Sequence, residues 1–318
     1  MNTRTLLNIF LAAIVILLAL VIFYKPGVKP EPVPPPLTSV DPEQVQTLRV
    51  VHNNPHEEIN LKRQEGKWFL TAPIHAPASR SVVETLLDIA KTPSHSHYSV
   101  QSLDLAKVGL KSPKARLYLD KLTIDFGTTE PLNQRRYVLL KDTVHLIDDI
   151  FFRTVNSDTP KFVDPALLPG NSPITELRLP QVTISRGNPN VNAKHTITLH
   201  QDNKGHWLAE GMDNPPSSEV IAKLVETWQQ YTTPQVALKE DKAVLATIEI
   251  QRKGAPPVHM ELLAALPRLV LARPDFGVQY DLPAPAWKAL IQLPQGSSHN
   301  KKSQDNNSEK QQDSNDKK

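Results

Sequence analysis

The chain has no cysteine, and only 11 of its 318 residues are glycine. The first absence excludes a disulfide scaffold, a Cys-ligated zinc site, a thiol nucleophile and a lipoprotein-type lipid anchor. The second leaves few places where backbone can close around a phosphate. There is no phosphate-cradling glycine loop, no nucleophile elbow and no nucleotide-binding fingerprint. A surplus of one charge is missing too. Lys and Arg total 36 against 33 Asp and Glu, and the small excess is not gathered into a stripe, so no nucleic-acid partner is expected. No residue pattern points to a cofactor. Proline, by contrast, is plentiful, with 29 copies.

The longest apolar run is Leu6 to Tyr24, LLNIFLAAIVILLALVIFY, in which Asn8 is the only strongly polar residue. As a helix it would span roughly 28 Å, about one hydrocarbon core, with Tyr24 and Lys25 at the interface. A cleaved signal peptide has a shorter apolar region ending in a small-x-small site, and IFYKPGV offers none. Residues 1–24 are therefore expected to be an uncleaved transmembrane anchor. Arg4 on one side and Lys25 and Lys29 on the other give no orientation. The few residues before the run favour an exported, periplasmic C-terminal part. Residues 25–42 form a proline-rich linker, which as polyproline II would reach roughly 50 Å. Residues 295–318 contain no aliphatic or aromatic side chain and are expected to be a disordered polar tail.

The remaining core can be laid on itself. EEINLKRQEGKWFLTAP (57–73) resembles HTITLHQDNKGHWLAEG (195–211), with Ile59 on Ile197, Leu61 on Leu199, Gly66 on Gly205 and Trp68 on Trp207. Those pairs lie 138 to 139 residues apart, and VVETLLDIA (82–90) falls on VIAKLVETW (220–228) at an offset of 138. Within each copy, strand alternation surrounds one amphipathic helix. Val82, Val83, Leu86, Leu87 and Ile89 make the first helical stripe, and Val220, Ile221, Leu224 and Val225 the second. Ser79 or Ser81, and Ser217 or Ser218, are the candidate caps. Strands are predicted near 114–119, 122–126, 135–140 and 143–147, then a short helical segment at Asp149 to Val155. The fold class is α+β: an N-terminal transmembrane helix, then a tandem repeat of two mainly antiparallel sheet-plus-helix lobes. The first repeat covers 43–163, a connector 164–174, and the second repeat 175–294.

The series GKWFLTAP (66–73), VVETLLDIA (82–90), LAKVGLKSP (105–113), ARLYL (115–119), TIDFGTTEPLNQRRYV (123–138) and VHLID (144–148) resembles the bacterial domain-of-unknown-function family 4340. The resemblance implies a protein anchored in the bacterial inner membrane, with an envelope partner such as an ABC transporter subunit of the gliding type. It supplies no active-site residue.

Several residues could carry chemistry. Arg135 and Arg136 end the polar loop from Thr128 and are the candidate contacts for an acidic partner or a lipid headgroup. The competing reading is a solvated hairpin with the Arg stems over the sheet. His95 and His97 would share a strand face, and His52 and His56 flank a turn; all are read as solvated rather than metal-ligating. Asp148 and Asp149 read as a helix cap. With Asp120 and Asp125, they are the paired carboxylates that glycan hydrolysis would need. Trp68 and Trp207 read as core anchors. The expected function is a non-catalytic binding or scaffold module of the cell envelope. A periplasmic hydrolase of cell-wall or glycan material, or a lipid or glycan carrier, is the alternative.

Overall fold

The computed structural model describes residues 3–24, 34–53, 55–185 and 188–294. Half of the proline-rich linker (25–33) and the polar tail lie outside the described residues. The apolar run is one helix, α1 (Thr3–Tyr24), exposed from Thr3 to Val21. Its length and composition suit a membrane span or a signal sequence.

The first lobe follows as β1 (Thr47–Asn53), β2 (His56–Gln64), β3 (Lys67–Ala72), β4 (Ala76–Pro77), α2 (Arg80–Asp88), β5 (Ser96–Ser99), β6 (Ala115–Leu119), β7 (Leu122–Thr129), β8 (Arg135–Leu140), β9 (Thr143–Asp148) and α3 (Phe152–Val155). The second is β10 (Ile174–Ser185), β11 (Asn188–Gln201), β12 (Trp207–Glu210), α4 (Ser218–Gln230), β13 (Val236–Leu238), β14 (Ala246–Arg252), β15 (Ala255–Ala264), β16 (Leu269–Arg273), β17 (Val278–Leu282) and α5 (Ala286–Leu290).

Both sheets are antiparallel. Their strand orders are β4-β3-β2-β1-β6-β7-β8-β9-β5 and β12-β11-β10-β14-β15-β16-β17-β13. Without β4 the two orders are the same, so the repeat read from residue spacing is a repeat of topology. In each lobe the strand after the helix crosses to the far edge and pairs with the last strand of a four-stranded meander.

Strand alternation decides which side chains enter the core. Ala115, Leu117 and Leu119 of β6 are buried while Arg116 and Tyr118 face outward, and Ile248 and Ile250 of β14 are buried likewise. Over the inner faces lie the helices, with Val82, Val83 and Leu86 of α2 and Ile221, Leu224, Val225 and Trp228 of α4 buried. Each such side chain contributes about 1.5–3 kcal/mol of transfer energy. The predicted stripe holds except at Val220, which is 39% exposed; Trp228, two turns further on, completes the α4 face. Neither Ser79 nor Ser217 makes a side-chain cap bond, although both stand at the cap position. Ser218 Oγ instead accepts Trp207 N at 2.8 Å, joining α4 to β12.

Trp207 is buried as expected, but Trp68 is only half-buried. The turn before it does need its glycine, because Gly66 has φ +78°. A ring N–H pins the short final helix of each lobe. His52 Nε2 lies 2.7 Å from Val155 O, and Trp228 Nε1 donates to Leu290 O at 2.6 Å. These carbonyls end α3 and α5. His52 is thus a buried strand residue, not the solvated loop histidine expected.

The connector is an ordered seam. Ser79 N donates to Phe162 O and Asp164 N to Pro77 O on the first lobe. Leu167 N donates to Tyr231 O and Thr233 N to Pro165 O on the second. Arg273 Nη1 and Arg252 Nη1 then take the carbonyls of Leu167 and Pro169. One contiguous apolar core runs from the first lobe through Leu167 and Leu168 into the second.

Candidate functional site

Arg136 occupies the second position of β8, on the same face as buried Val138, and is itself 8% exposed. Its guanidinium Nε and Nη2 reach the Asp149 carboxylate at 2.5 and 2.9 Å. Nη1 donates to Gly127 O, Nη2 also donates to Thr129 Oγ1 at 3.0 Å, and the group lies 3.6 Å over the Phe152 ring. Burial alone would raise the Asp149 carboxyl. The hydrogen bonds from Arg136 and Thr129, with the Arg136 charge, outweigh it and hold the carboxyl below its usual range.

Two expectations change here. Arg136 is a structural cation rather than a partner contact, because all three of its guanidinium nitrogens are hydrogen-bonded inside the lobe. Asp149 is its counter-ion rather than a helix cap, since α3 begins only at Phe152 with no acidic residue in its first turn. Arg135 keeps part of its surface in water, and its register partner across β9 is Asp148.

Asp120 and Asp125 do not pair either. Asp120 accepts from Gln46 N, Thr47 N and Thr47 Oγ1, while Asp125 holds Arg116 in a two-pronged bond. Gly127 explains another contact: a Cβ there would overlap Val108 O and touch Leu110. Its absence lets residues 100–110 lie over the outer face of the first sheet, where Val108 and Leu110 pack with Val144.

Residues 35–38, expected to belong to a free linker, are instead a strap on the first lobe. Leu37 N donates to Thr92 O, Thr38 N to Ala90 O, and Ser94 N to Pro35 O, with Leu37 only 4% exposed. The strap lies beside a histidine group. Ser94 Oγ is 2.8 Å from His145 Nδ1, His97 stands opposite His145 across β5 and β9, and His95 Nε2 lies 3.1 Å from Asp148 Oδ1. Burial, then the neighbouring His97, lowers the affinity of His145 for a proton. Among the described residues, no three His, Asp or Glu side chains are placed to hold a metal ion.

A cleft of about 260 Å³ opens along the seam between the lobes. Hydroxyls from Ser79, Ser81 and Thr232, together with Pro160 and Pro234, line it, and Lys161 is the one charged lining residue. Such a surface can accept a chain or loop through hydrogen bonds and ring stacking. It offers no pair of ionisable groups for acid–base work.

A family model described as "Domain of unknown function (DUF4340)" matches residues 68–249. No curated protein and no solved structure matches the chain.

Proposed function

The chain belongs to the domain-of-unknown-function family DUF4340, and from that footing we propose that it is a membrane-anchored, non-catalytic binding module. The anchor is α1, the membrane is the bacterial inner membrane, and the folded repeats stand on its periplasmic side. The partner is another envelope component, an ABC transporter subunit being the first candidate. One observation carries the reading: the segment after α1 is built into the first lobe through the Leu37 strap. The folded part therefore begins at Pro35, which leaves only a short tether between it and the helix. The cleft supports the non-catalytic side of the reading. Its lining is hydroxyl, proline and valine with the single charge of Lys161, and the lobe's carboxylates at Asp125 and Asp149 are already engaged by arginines.

The test is site-specific photocrosslinking in intact cells from Thr232, at the cleft, and from Leu266, exposed elsewhere on the second lobe. A discrete adduct from position 232 alone, on protein that stays in the carbonate-washed membrane pellet, is the expected result. Release of soluble glycan from cell-wall material by the purified full chain would replace this reading with a hydrolase.

A further inference from the structure

We propose that the two loops at one end of the first sheet, carrying Leu132 and Ile150, rest on the surface of the bilayer that holds α1. This rests on the reading of α1 as an anchor. Outside α1, Leu132 at 86% and Ile150 at 72% are the most exposed large apolar side chains among the described residues. Their loops are neighbours. Thr129 pairs with Arg136 and Arg135 with Asp148, which sets the β7–β8 loop beside the segment that follows β9.

Neither loop can turn its apolar residue inward. Glu130 Oε1 accepts both Asn133 N and Asn133 Nδ2, and Gln134 Nε2 donates to Pro131 O, so the loop is closed on itself with Leu132 outside. On the other side of Ile150, Phe151 is buried, while Asp149 is held by Arg136 and Thr129. Two adjacent loops that each hold a large apolar side chain in water make an apolar patch, and such a patch is a feature of binding surfaces.

The strap names the occupant. Pro35 O accepts Ser94 N, the next residue His95 touches Asp148, and Ile150 follows two residues on. The chain thus enters the lobe beside this tip. Ten residue steps separate Tyr24 from Pro34, and an extended chain of that length spans at most about 35 Å. The end of the lobe where the strap enters cannot leave the neighbourhood of the membrane. Arg135, half-exposed, and Arg153, exposed, flank the tip and suit lipid phosphates.

The cysteine-free chain makes the test direct. Single substitutions Leu132→Cys, Ile150→Cys, Leu17→Cys in α1 and Leu238→Cys in the second lobe are labelled with an environment-sensitive fluorophore. The full chain is reconstituted in phosphatidylethanolamine–phosphatidylglycerol vesicles containing lipid quenchers at shallow acyl depth. Expected is a blue shift and quenching at positions 17, 132 and 150, with none at 238. Quenching at 17 but not at 132 and 150, or equal quenching at 238, overturns the bilayer contact and leaves the anchor standing. No quenching at 17 overturns the anchor itself, and the contact with it.

Discussion

Asp149 lies between opposing influences, and the balance gives its pH behaviour a definite sign. Its carboxyl is held below the unfolded value of about 3.9. The stabilisation is therefore present above that value and is lost as pH falls through the lower folded value. Asp149→Asn leaves the Arg136 cation nearly buried without a counter-charge. Breaking such a pair costs about 3–5 kcal/mol, and the lower end applies because Asp149 keeps 25% of its side chain in water. Urea denaturation at neutral pH should show that loss, and the gap to the wild type should shrink at pH ~3. An unchanged gap would mean that Phe152 packing, not charge, holds Arg136. Little of this is legible in sequence. The spacing of Arg136 and Asp149 follows from two strands and a turn, and nothing in a row of letters says which arginine of the pair turns inward. His52 is hidden for the same reason: its partner Val155 is far along the chain.

Among the elements, the strap is the piece most open to perturbation. It is held by three backbone bonds, a hydrogen bond from Thr38 Oγ1 to Ala90 O and one buried side chain, Leu37. Beneath it, His145 faces Ser94 and His97, with His95 and Asp148 at the next positions. Because the imidazole's proton affinity is lowered in the fold, it contributes stability above the unfolded value near 6.5, lost as pH falls below it. Amide protection at Leu37, Thr38 and Ser94, measured relative to the intrinsic exchange rate at each pH, should therefore fall as pH drops below about 6.5. His145→Gln should remove that acid-dependent loss of protection while leaving protection in β14 unaltered. If protection falls equally with acid in both proteins, another group controls the edge. The helices and the meander strands were readable, since 3.6- and 2-residue periods carry over into burial. The strap was not, because prolines signal extension whether the chain is free or docked, and docking here uses backbone bonds that leave no side-chain pattern. The short edge strands β4, β5 and β13 escape for the same reason.

The whole molecule has two lobes of one topology joined by a seam that both use. Since a single apolar core crosses it, thermal unfolding of the full chain in detergent should be one transition, with equal calorimetric and van 't Hoff enthalpies. Trp207→Ala empties a buried site in the second lobe, at about 3–5 kcal/mol, and should lower that one transition as a whole. Two transitions, with only the later part of the chain moved, would show lobes that fold alone. The duplication itself was legible because Gly66, Trp68 and the helix recur together at offsets of 138 to 139; the seam was not, being made mainly of main-chain bonds from Pro77 to Thr233 and of arginines far along the chain. The tether has one more consequence, in terms of encounter. A short tether confines the cleft to a shell a few nanometres deep over the bilayer, where linked partners meet at effective concentrations of about millimolar. An affinity too weak to register with a detached domain would suffice in place. The intrinsic contact with a membrane partner can thus be loose and quickly reversible while the pair remains associated.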